Sequence, residues 1–206
     1  MKRASIVALS LGLGLSAVGC VPDWAQQNSS PYILEIASIT GASGSLPILS
    51  DVSVDGSIVN DEALVTVNAF RKNNNPSLGT SPVEHLYLER YEVRYFRTDG
   101  RNQEGVDVPY RTTGALGNVR FHTPGPGGGG EVSSTVSVTI VRHQAKAEPP
   151  LLNLRFVTGT DVGNLQFGGA GILTCIAEIT IHGRTVQGDA MEAVGRVNVT
   201  FANFNG

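Results

Sequence analysis

The sequence predicts an all-β fold, an antiparallel β-sandwich of about eight to ten short strands. Apolar and polar residues alternate along several segments, which is the period of a half-buried strand. Turn residues separate these segments at intervals of about 8 to 15 residues, and the 25 glycines supply many of the breaks. No long amphipathic helical pattern interrupts them. Short strands joined by frequent turns are typical of two packed sheets.

The first half of the chain predicts four strands, which cover residues 32–40, 46–54, 63–71 and 86–98. One face of the fourth carries three rings and a valine: Tyr87, Tyr91, Val93 and Tyr95. The other face carries charges: Arg90, Glu92 and Arg94. Such a strand packs its rings inward and keeps its charges in water.

Four arginines in and after this strand raise the question of an anion site: Arg90, Arg94, Arg97 and Arg101. Three acids are interspersed with them: Glu89, Glu92 and Asp99. Mixed charges of this kind favour a solvated cross-strand ladder, with a ligand site as the alternative.

The second half predicts strands at residues 106–110, 117–122, 132–143, 151–157, 173–182 and 194–201. Pro109 restricts the first of them to a sheet edge. A glycine-rich loop joins the second and third, so we expect these two to form a hairpin. The last two form the clearest antiparallel hairpin, with a turn near residues 185–189 that sets His182 opposite Ala190.

The first twenty residues describe an export signal. Lys2 and Arg3 precede an uncharged apolar run, residues 4–15, which falls short of the roughly 20 residues that span a bilayer. Residues 16–20, Ser-Ala-Val-Gly-Cys, resemble the lipobox of bacterial lipoproteins, although Ala17 stands where most have leucine. The resemblance implies cleavage before Cys20, a thioether-linked diacylglycerol on its sulfur, and usually an acyl chain on the new amino terminus.

This resemblance divides the chain into a signal peptide (residues 1–19), an acylated cysteine with a polar tether (20–31) and a single domain (32–206). The tether reaches about 35 Å at most, so the lipid makes the membrane the first expected partner. In enterobacterial lipoproteins, Asp after the cysteine favours the inner membrane. Val21 therefore implies the outer membrane, with the domain on its periplasmic face or at the cell surface.

Net charge argues against a nucleic-acid partner. The full chain carries −3, and Lys2 and Arg3 lie in the segment to be removed, so the remaining 187 residues carry −5. A chain of this length can build a sufficient core without a disulfide. An acylated Cys20 cannot form one, which leaves Cys175 alone, and we expect it to be a small buried hydrophobe rather than a nucleophile.

Residues 98–107 contain the densest group of oxygen-bearing side chains: Asp99, Asn102, Glu104 and Asp107. Such oxygens suit calcium, but their spacing departs from the EF-hand pattern, so a turn is preferred and a metal site is the weaker alternative. The four histidines lack metal-ligand spacing: His85, His122, His143 and His182. No cofactor is expected.

The alternating strands and the closing hairpin resemble an immunoglobulin-like domain in outline. The chain lacks the inter-sheet cysteine pair and buried tryptophan of antibody domains, so the resemblance implies a fold and no function.

The leading functional hypothesis is a non-enzymatic envelope lipoprotein whose domain binds a protein or glycan, mediates adhesion or scaffolds an assembly. The first alternative is a pilus or filament subunit that self-assembles by strand exchange, since residues 194–204 form a regular last strand. The second is an enzyme whose site is built from distant loop residues: Asp99, Glu104, Asp107 and His122.

Overall fold

A computed structural model describes residues 30, 32–52, 59–72, 85–121, 131–154 and 171–204. Eight strands lie within these ranges: β1 (Tyr32–Gly41), β2 (Ile48–Asp51), β3 (Asp61–Arg71), β4 (Leu86–Phe96), β5 (Thr112–Phe121), β6 (Glu131–Val141), β7 (Leu173–Thr185) and β8 (Ala190–Ala202). One helical turn, α1 (His143–Lys146), and a 3-10 turn (Leu151–Leu154) lie between β6 and β7. No helix in these ranges has the length and hydrophobicity of a membrane span.

The strands form two sheets that pack as a sandwich, which confirms the predicted fold class. The smaller sheet has the order β1-β3-β6 and the larger has the order β2-β8-β7-β4-β5. Every pairing is antiparallel except that of β2 with β8. The orders β1-β3-β6 and β8-β7-β4-β5 match the A-B-E and G-F-C-C′ arrangements of immunoglobulin domains.

Alternation along the strands builds the core. Val65 and Val67 of β3, Ile179 of β7, and Val199 and Phe201 of β8 are fully buried between the sheets. The closing hairpin is confirmed, and its turn is held by the Thr185 N–H, which donates to the Asp189 carbonyl over 3.0 Å.

The predicted register of this hairpin was wrong by two residues. His182 lies opposite Glu192, and Ala190 lies opposite Arg184. Strand β8 therefore begins directly after a tight turn, earlier than the apolar pattern alone indicated.

A bulge in β4 corrects the predicted faces of that strand. Its register shifts between Leu88 and Arg90 against both neighbouring strands. The extra residue reverses the alternation, so Leu88 and Tyr91 are buried while Tyr87 is half-buried on the other face. Strict alternation had placed Tyr87 with Tyr91.

Two tyrosines of β4 tie the larger sheet to β6 across the core. The Tyr91 hydroxyl accepts a hydrogen bond from the Thr139 N–H over 3.0 Å, and the Tyr95 hydroxyl donates to the Ile140 carbonyl. Gly114 of β5 permits this, because a Cβ there would overlap the Tyr91 ring. The β3–β6 register shifts at this end, where Glu62 faces Thr139 and Asp61 faces Val141.

Three further predictions were wrong. Strands β5 and β6 belong to different sheets and do not form a hairpin. Residues 105–107 form a turn closed by a Glu104–Val108 bridge, and residues 106–110 form no edge strand. Residues Leu151–Leu154 form a 3-10 turn, and the remainder of the predicted 151–157 strand lies outside the described residues. The first error arises because local alternation does not say which sheet receives a strand.

A buried ion pair holds α1 against the sandwich. Lys146 is only 3% exposed, and its Nζ lies 2.9 Å from Asp61 Oδ1. The Asn60 side-chain oxygen also accepts a hydrogen bond from the His143 N–H over 2.8 Å, which satisfies a donor at the helix start. These contacts attach the β6–β7 connection to the beginning of β3.

We expect Tyr95→Phe to lower the free energy of unfolding by about 1–3 kcal/mol, because it leaves the buried Ile140 carbonyl without its donor. Urea unfolding measures the change. Tyr110→Phe is the matched control, since Tyr110 is 46% exposed and should change stability by less than about 0.5 kcal/mol. Equal effects of the two variants would contradict the inter-sheet role of Tyr95.

We expect Lys146→Met to cost about 3–5 kcal/mol of stability, because it leaves the Asp61 carboxylate without its buried partner. The double variant Lys146→Met/Asp61→Asn should recover part of this loss, since no unpaired charge remains. Chemical denaturation measures the free energy of unfolding of both variants. Lys72→Met, at an exposed lysine, is the control. A double variant no more stable than the single one would refute the pairing.

Candidate binding groove

A groove runs between β1 and β8, at a corner where the two sheets meet. β1 pairs with β3, and its other edge has no partner among the described strands. β2 pairs with β8 only from Val199 to Ala202, so β8 residues before Val199 present an edge on that side. The space between these edges is about 600 Å³, a volume typical of ligand sites.

Local sequence explains why this corner stays open. β1 has a register shift between Ile36 and Ser38, so Ala37 is an extra residue and the strand bends there. Below the groove, Gly195 permits close packing of the two strands. A Cβ on Gly195 would lie 2.9 Å from Ile36 Cγ2 and 2.9 Å from Ile39 Cδ1. Ile36 and Ile39 of β1 therefore pack directly on the backbone of Gly195 in β8.

The lining of the groove is mixed in polarity and nearly uncharged. Leu46 and Pro47 of the β1–β2 connection form an apolar wall, and Leu46 is 61% exposed. Hydroxyl and amide groups come from Ser38, Thr174, Asn198 and Thr200. Arg196 is the single charged residue, and its Nη2 lies 2.7 Å from Glu178 Oε2. The groove thus offers a ligand hydrogen bonds and apolar contact rather than a strong electrostatic field.

The outer face of the larger sheet is a charge ladder. Arg184 Nε lies 2.6 Å from Glu89 Oε1, and Arg196 pairs with Glu178 as described. A second pocket, of about 150 Å³, lies on this face beside Arg90 and His182. These pairs are exposed or partly exposed, so each contributes little to stability.

The predicted arginine group forms ion pairs within its own strand and the following loop, and not the predicted cross-strand ladder. Arg94 Nε lies 2.6 Å from Glu92 Oε1, and this contact lowers the pKa of Glu92. Arg97 and Arg101 both pair with Asp99. Arg90 lies opposite His182 in the sheet.

The four oxygen-rich residues of the 97–111 loop each have local partners. Asp99 lies between the guanidinium groups of Arg97 and Arg101 at 2.6 and 2.9 Å, and these hydrogen bonds hold its pKa well below its ordinary value. Asn102 accepts a hydrogen bond from the Arg97 N–H, and Asp107 accepts one from the Gln103 N–H.

Glu104 pairs with Arg111 at 3.3 Å. Within the described ranges, no group of three or more His, Cys, Asp or Glu residues could hold a metal ion. Asp99 and Asp107 accept hydrogen bonds from the backbone N–H groups of Arg101 and Gln103, so these carboxylates help to shape the turn.

The described histidines lie far apart in the fold. His85 precedes β4 and contacts Arg120, while His143 contacts Asn60 at the opposite end. His182 Nδ1 lies 3.9 Å from Glu192 Oε2 on the charged face. His122 lies outside the described residues, so its grouping with Asp99, Glu104 and Asp107 stays a prediction.

Cys175 is buried in β7, as predicted, with 1% of its surface exposed. Burial raises the pKa of its thiol to about 11, so the thiolate is disfavoured at neutral pH. Its position makes it part of the core rather than of the groove.

Sequence reasoning missed the groove. Its walls come from residues about 160 positions apart, a separation read from Ile36 and Arg196 that no local pattern reports. The one available signal was Gly195, a glycine inside an otherwise regular strand, which indicates close backbone approach.

The two packed sheets make this domain a β-sandwich, a class of fold that hosts many unrelated functions. Neither a family model nor a curated protein matches the chain. A solved structure, Spo0M, a sporulation control protein from Bacillus subtilis, is similar at 12% identity and a TM-score of 0.29. The match covers 82% of this chain and 49% of that one, so this chain spans about half its length. At that TM-score the likeness carries no argument.

We expect the free energy of unfolding to fall as the pH rises from about 9 to about 11, because the unfolded chain then releases the Cys175 proton while the folded chain retains it. This contribution is complete below about pH 9 and is lost as the pH passes about 11. One proton gives a slope of up to about 1.4 kcal/mol per pH unit.

Urea unfolding at several pH values in this window measures the slope. Cys175→Ala should flatten this slope below about pH 10. Near pH 10 the tyrosines of the unfolded chain titrate, and because burial raises the pKa of Tyr95 in the folded chain, Tyr95 adds a second loss of stability. An unchanged slope in Cys175→Ala would rule out this assignment.

Proposed function

We propose that this chain is a lipid-anchored envelope lipoprotein whose β-sandwich acts by contact, as a non-enzymatic binding or scaffolding module. The open groove between β1 and β8 carries the proposal for binding. The basic, apolar and small-residue segments that precede Cys20 carry the proposal for the anchor. The outer membrane is the proposed location, from the resemblance at Val21.

The geometry at the start of β1 supports an anchor at one end of the sandwich. Ser30 is buried, and its hydroxyl donates to Met191 Sδ over 2.8 Å while accepting the Tyr32 N–H. The chain therefore enters the domain beside the β7–β8 turn. The stretch from Cys20 to Ser30 reaches about 33 Å at full extension, which keeps this end close to the lipid.

The opposite end would then face away from the membrane. Phe96 pairs with Ile176 near the beginning of β7, so the 97–111 loop lies at the end remote from Met191. The groove lies on the side between the two ends. A partner could thus approach the groove without displacing the tether.

The reactive groups of the described residues have structural roles that fit a contact function better than the enzyme alternative. Cys175 is a core residue, and Asp99 and Glu104 are paired with arginines. Neither the groove nor the pocket on the charged face includes Asp99, Glu104 or Asp107.

The filament alternative places different demands on the fold. β8 pairs with β7 along its length and with β2 at its end. A neighbour's last strand that took the place of β8 would have to displace it from β7 and from β2. The contact function is therefore preferred.

We expect Cys20→Ser to lack the lipid adduct, because a serine hydroxyl cannot carry the thioether lipid. The variant should either become soluble or keep its uncleaved signal segment. Fractionation with intact-mass measurement is the test, and a diacylglycerol adduct on the wild-type chain is the expected mass. Cys175→Ala is the matched control and should stay with the membrane, since Cys175 is buried. A wild-type mass without lipid, or a lipid adduct retained by Cys20→Ser, would defeat the anchor.

A further inference from the structure

The groove between β1 and β8 is lined by side chains that form hydrogen bonds without carrying charge. Ser38 belongs to β1, Thr174 to β7, and Asn198 and Thr200 to β8. A hydroxyl or an amide side chain both donates and accepts hydrogen bonds. None of these four side chains is hydrogen-bonded to another residue in the part of the chain that the structure describes. All four are therefore available to a ligand.

Three of these polar side chains share the outer face of the larger sheet. Thr174 lies opposite Thr200 in the pairing of β7 with β8, and Asn198 precedes Thr200 by two residues. Residues two apart in a strand point to the same face and lie about 7 Å apart. Ser38 lines the groove from the β1 side. A ligand in the groove therefore meets hydrogen-bonding groups on two sides.

The groove is bounded at one end and along its floor, so it suits a compact ligand. The residues that follow Pro47 and Asn198 are paired in the parallel β2–β8 ladder, so Pro47 lies beside Asn198 and bounds the groove together with Leu46. At the floor, a Cβ on Gly195 would lie 3.1 Å from Ile36 Cβ, so β1 and β8 are in contact there. This spacing excludes an extended polypeptide bonded to both strands.

The charges around the groove favour a neutral ligand. Arg196 is the single charged liner, and its Nε and Nη2 donate to Glu178 Oε2 over 2.9 and 2.7 Å. The charge of Arg196 is thus already compensated, and an anionic ligand would have to compete with Glu178. A cationic ligand would find no acidic liner. Taking a charged group out of water without a partner is unfavourable, so both kinds of ligand are disfavoured.

The mixture of polar and apolar liners favours a ligand with both kinds of surface. A purely apolar ligand would cover four polar side chains without giving them hydrogen bonds, which is costly. Leu46 is 61% exposed and, with Pro47, offers apolar contact that a purely polar ligand would leave unused. A saccharide combines both surfaces, because its hydroxyls point outward in several directions while its ring presents C–H groups. The volume of about 600 Å³ is in the range of small-molecule sites.

We propose that the groove binds a short neutral saccharide, with its hydroxyls hydrogen-bonded to the four polar side chains and its C–H groups against Leu46 and Pro47. This inference rests on the proposed contact function and names the ligand class of the same groove. The lining contains no aromatic ring, so a single site should bind with a dissociation constant of about 1 mM. Copies anchored side by side would bind a repeating glycan more tightly, because the second contact is intramolecular.

The test uses the full chain, purified in a detergent without a sugar headgroup, and an array of neutral, acidic and amino glycans. Neutral glycans should be retained, and charged analogues should bind about tenfold more weakly or less, equivalent to about 1.4 kcal/mol. Titration with a retained neutral glycan should shift the amide NMR signals of Leu46, Asn198 and Thr200. Retention of no neutral glycan, stronger binding of charged analogues, or shifts located elsewhere on the chain overturns the proposal.

Variants of the lining provide the second measurement. The double variant Asn198→Ala/Thr200→Ala should weaken binding of a retained glycan by about tenfold or more, because two hydrogen bonds are lost. Ser38→Trp should have a similar effect by filling the groove. Thr180→Ala is the matched control, because Thr180 lies on β7 but does not line the groove, and its affinity should stay within about twofold. Thermal unfolding confirms that each variant is folded, and equal affinities in all three overturn the proposal.

The outcomes separate this inference from the anchor. An acylated Cys20 on a chain that retains no neutral glycan refutes the saccharide and leaves the lipoprotein assignment in place. Retention of a neutral glycan at the groove by a chain without lipid has the opposite meaning, because the groove then binds while the anchor fails.

Discussion

Closure of the sandwich depends on hydrogen bonds between the sheets at one corner. Tyr91 and Tyr95 reach from β4 to the backbone of β6, and the Tyr95 hydroxyl is buried with its acceptor, the Ile140 carbonyl. Both bonds lie where the β3–β6 register shifts, so the tyrosines satisfy backbone groups that a regular ladder would have paired. Gly114 leaves room for the Tyr91 ring. In a chain without an inter-sheet disulfide, these bonds fix where β6 lies against the larger sheet.

At the opposite corner, between β1 and β8, the two sheets are held together by apolar contacts. There the sheets approach through apolar contact of Ile36 and Ile39 over Gly195, and no strand pairing joins β1 to β8. Apolar contact is non-directional, so it closes the core without using the backbone groups at the strand edges. One corner is therefore sealed by polar bonds, whereas the other remains open to hydrogen bonding from outside. This asymmetry is the structural origin of the groove.

Sequence periodicity correctly predicted which residues of a strand face the core wherever one face of that strand is buried. The inward faces of β3, β7 and β8 follow the alternation directly, because each has one buried face and keeps its register through most of its length. Periodicity failed where one residue is added, as in the β4 bulge that turned Tyr87 away from Tyr91. It also failed where sheet membership matters, as for β5 and β6, and where a lysine is buried by a distant acid, as for Lys146 with Asp61. The groove belongs to this last kind, since its two walls meet only after the sheets have packed.

The floor of the groove links binding to stability. Ile36 and Ile39 cover Gly195 from above, and Ile36–Ile39 also form the β1 wall. An occupant of the groove that contacts Ile36–Ile39 would hold Ile36 and Ile39 over the core. Binding to the folded state alone stabilises it by RT ln(1 + [L]/Kd), about 2.7 kcal/mol when the ligand is at 100 times Kd. Since β1 also receives the tether through Ser30 and Met191, the segment nearest to the proposed lipid anchor is the one that an occupant would make more stable.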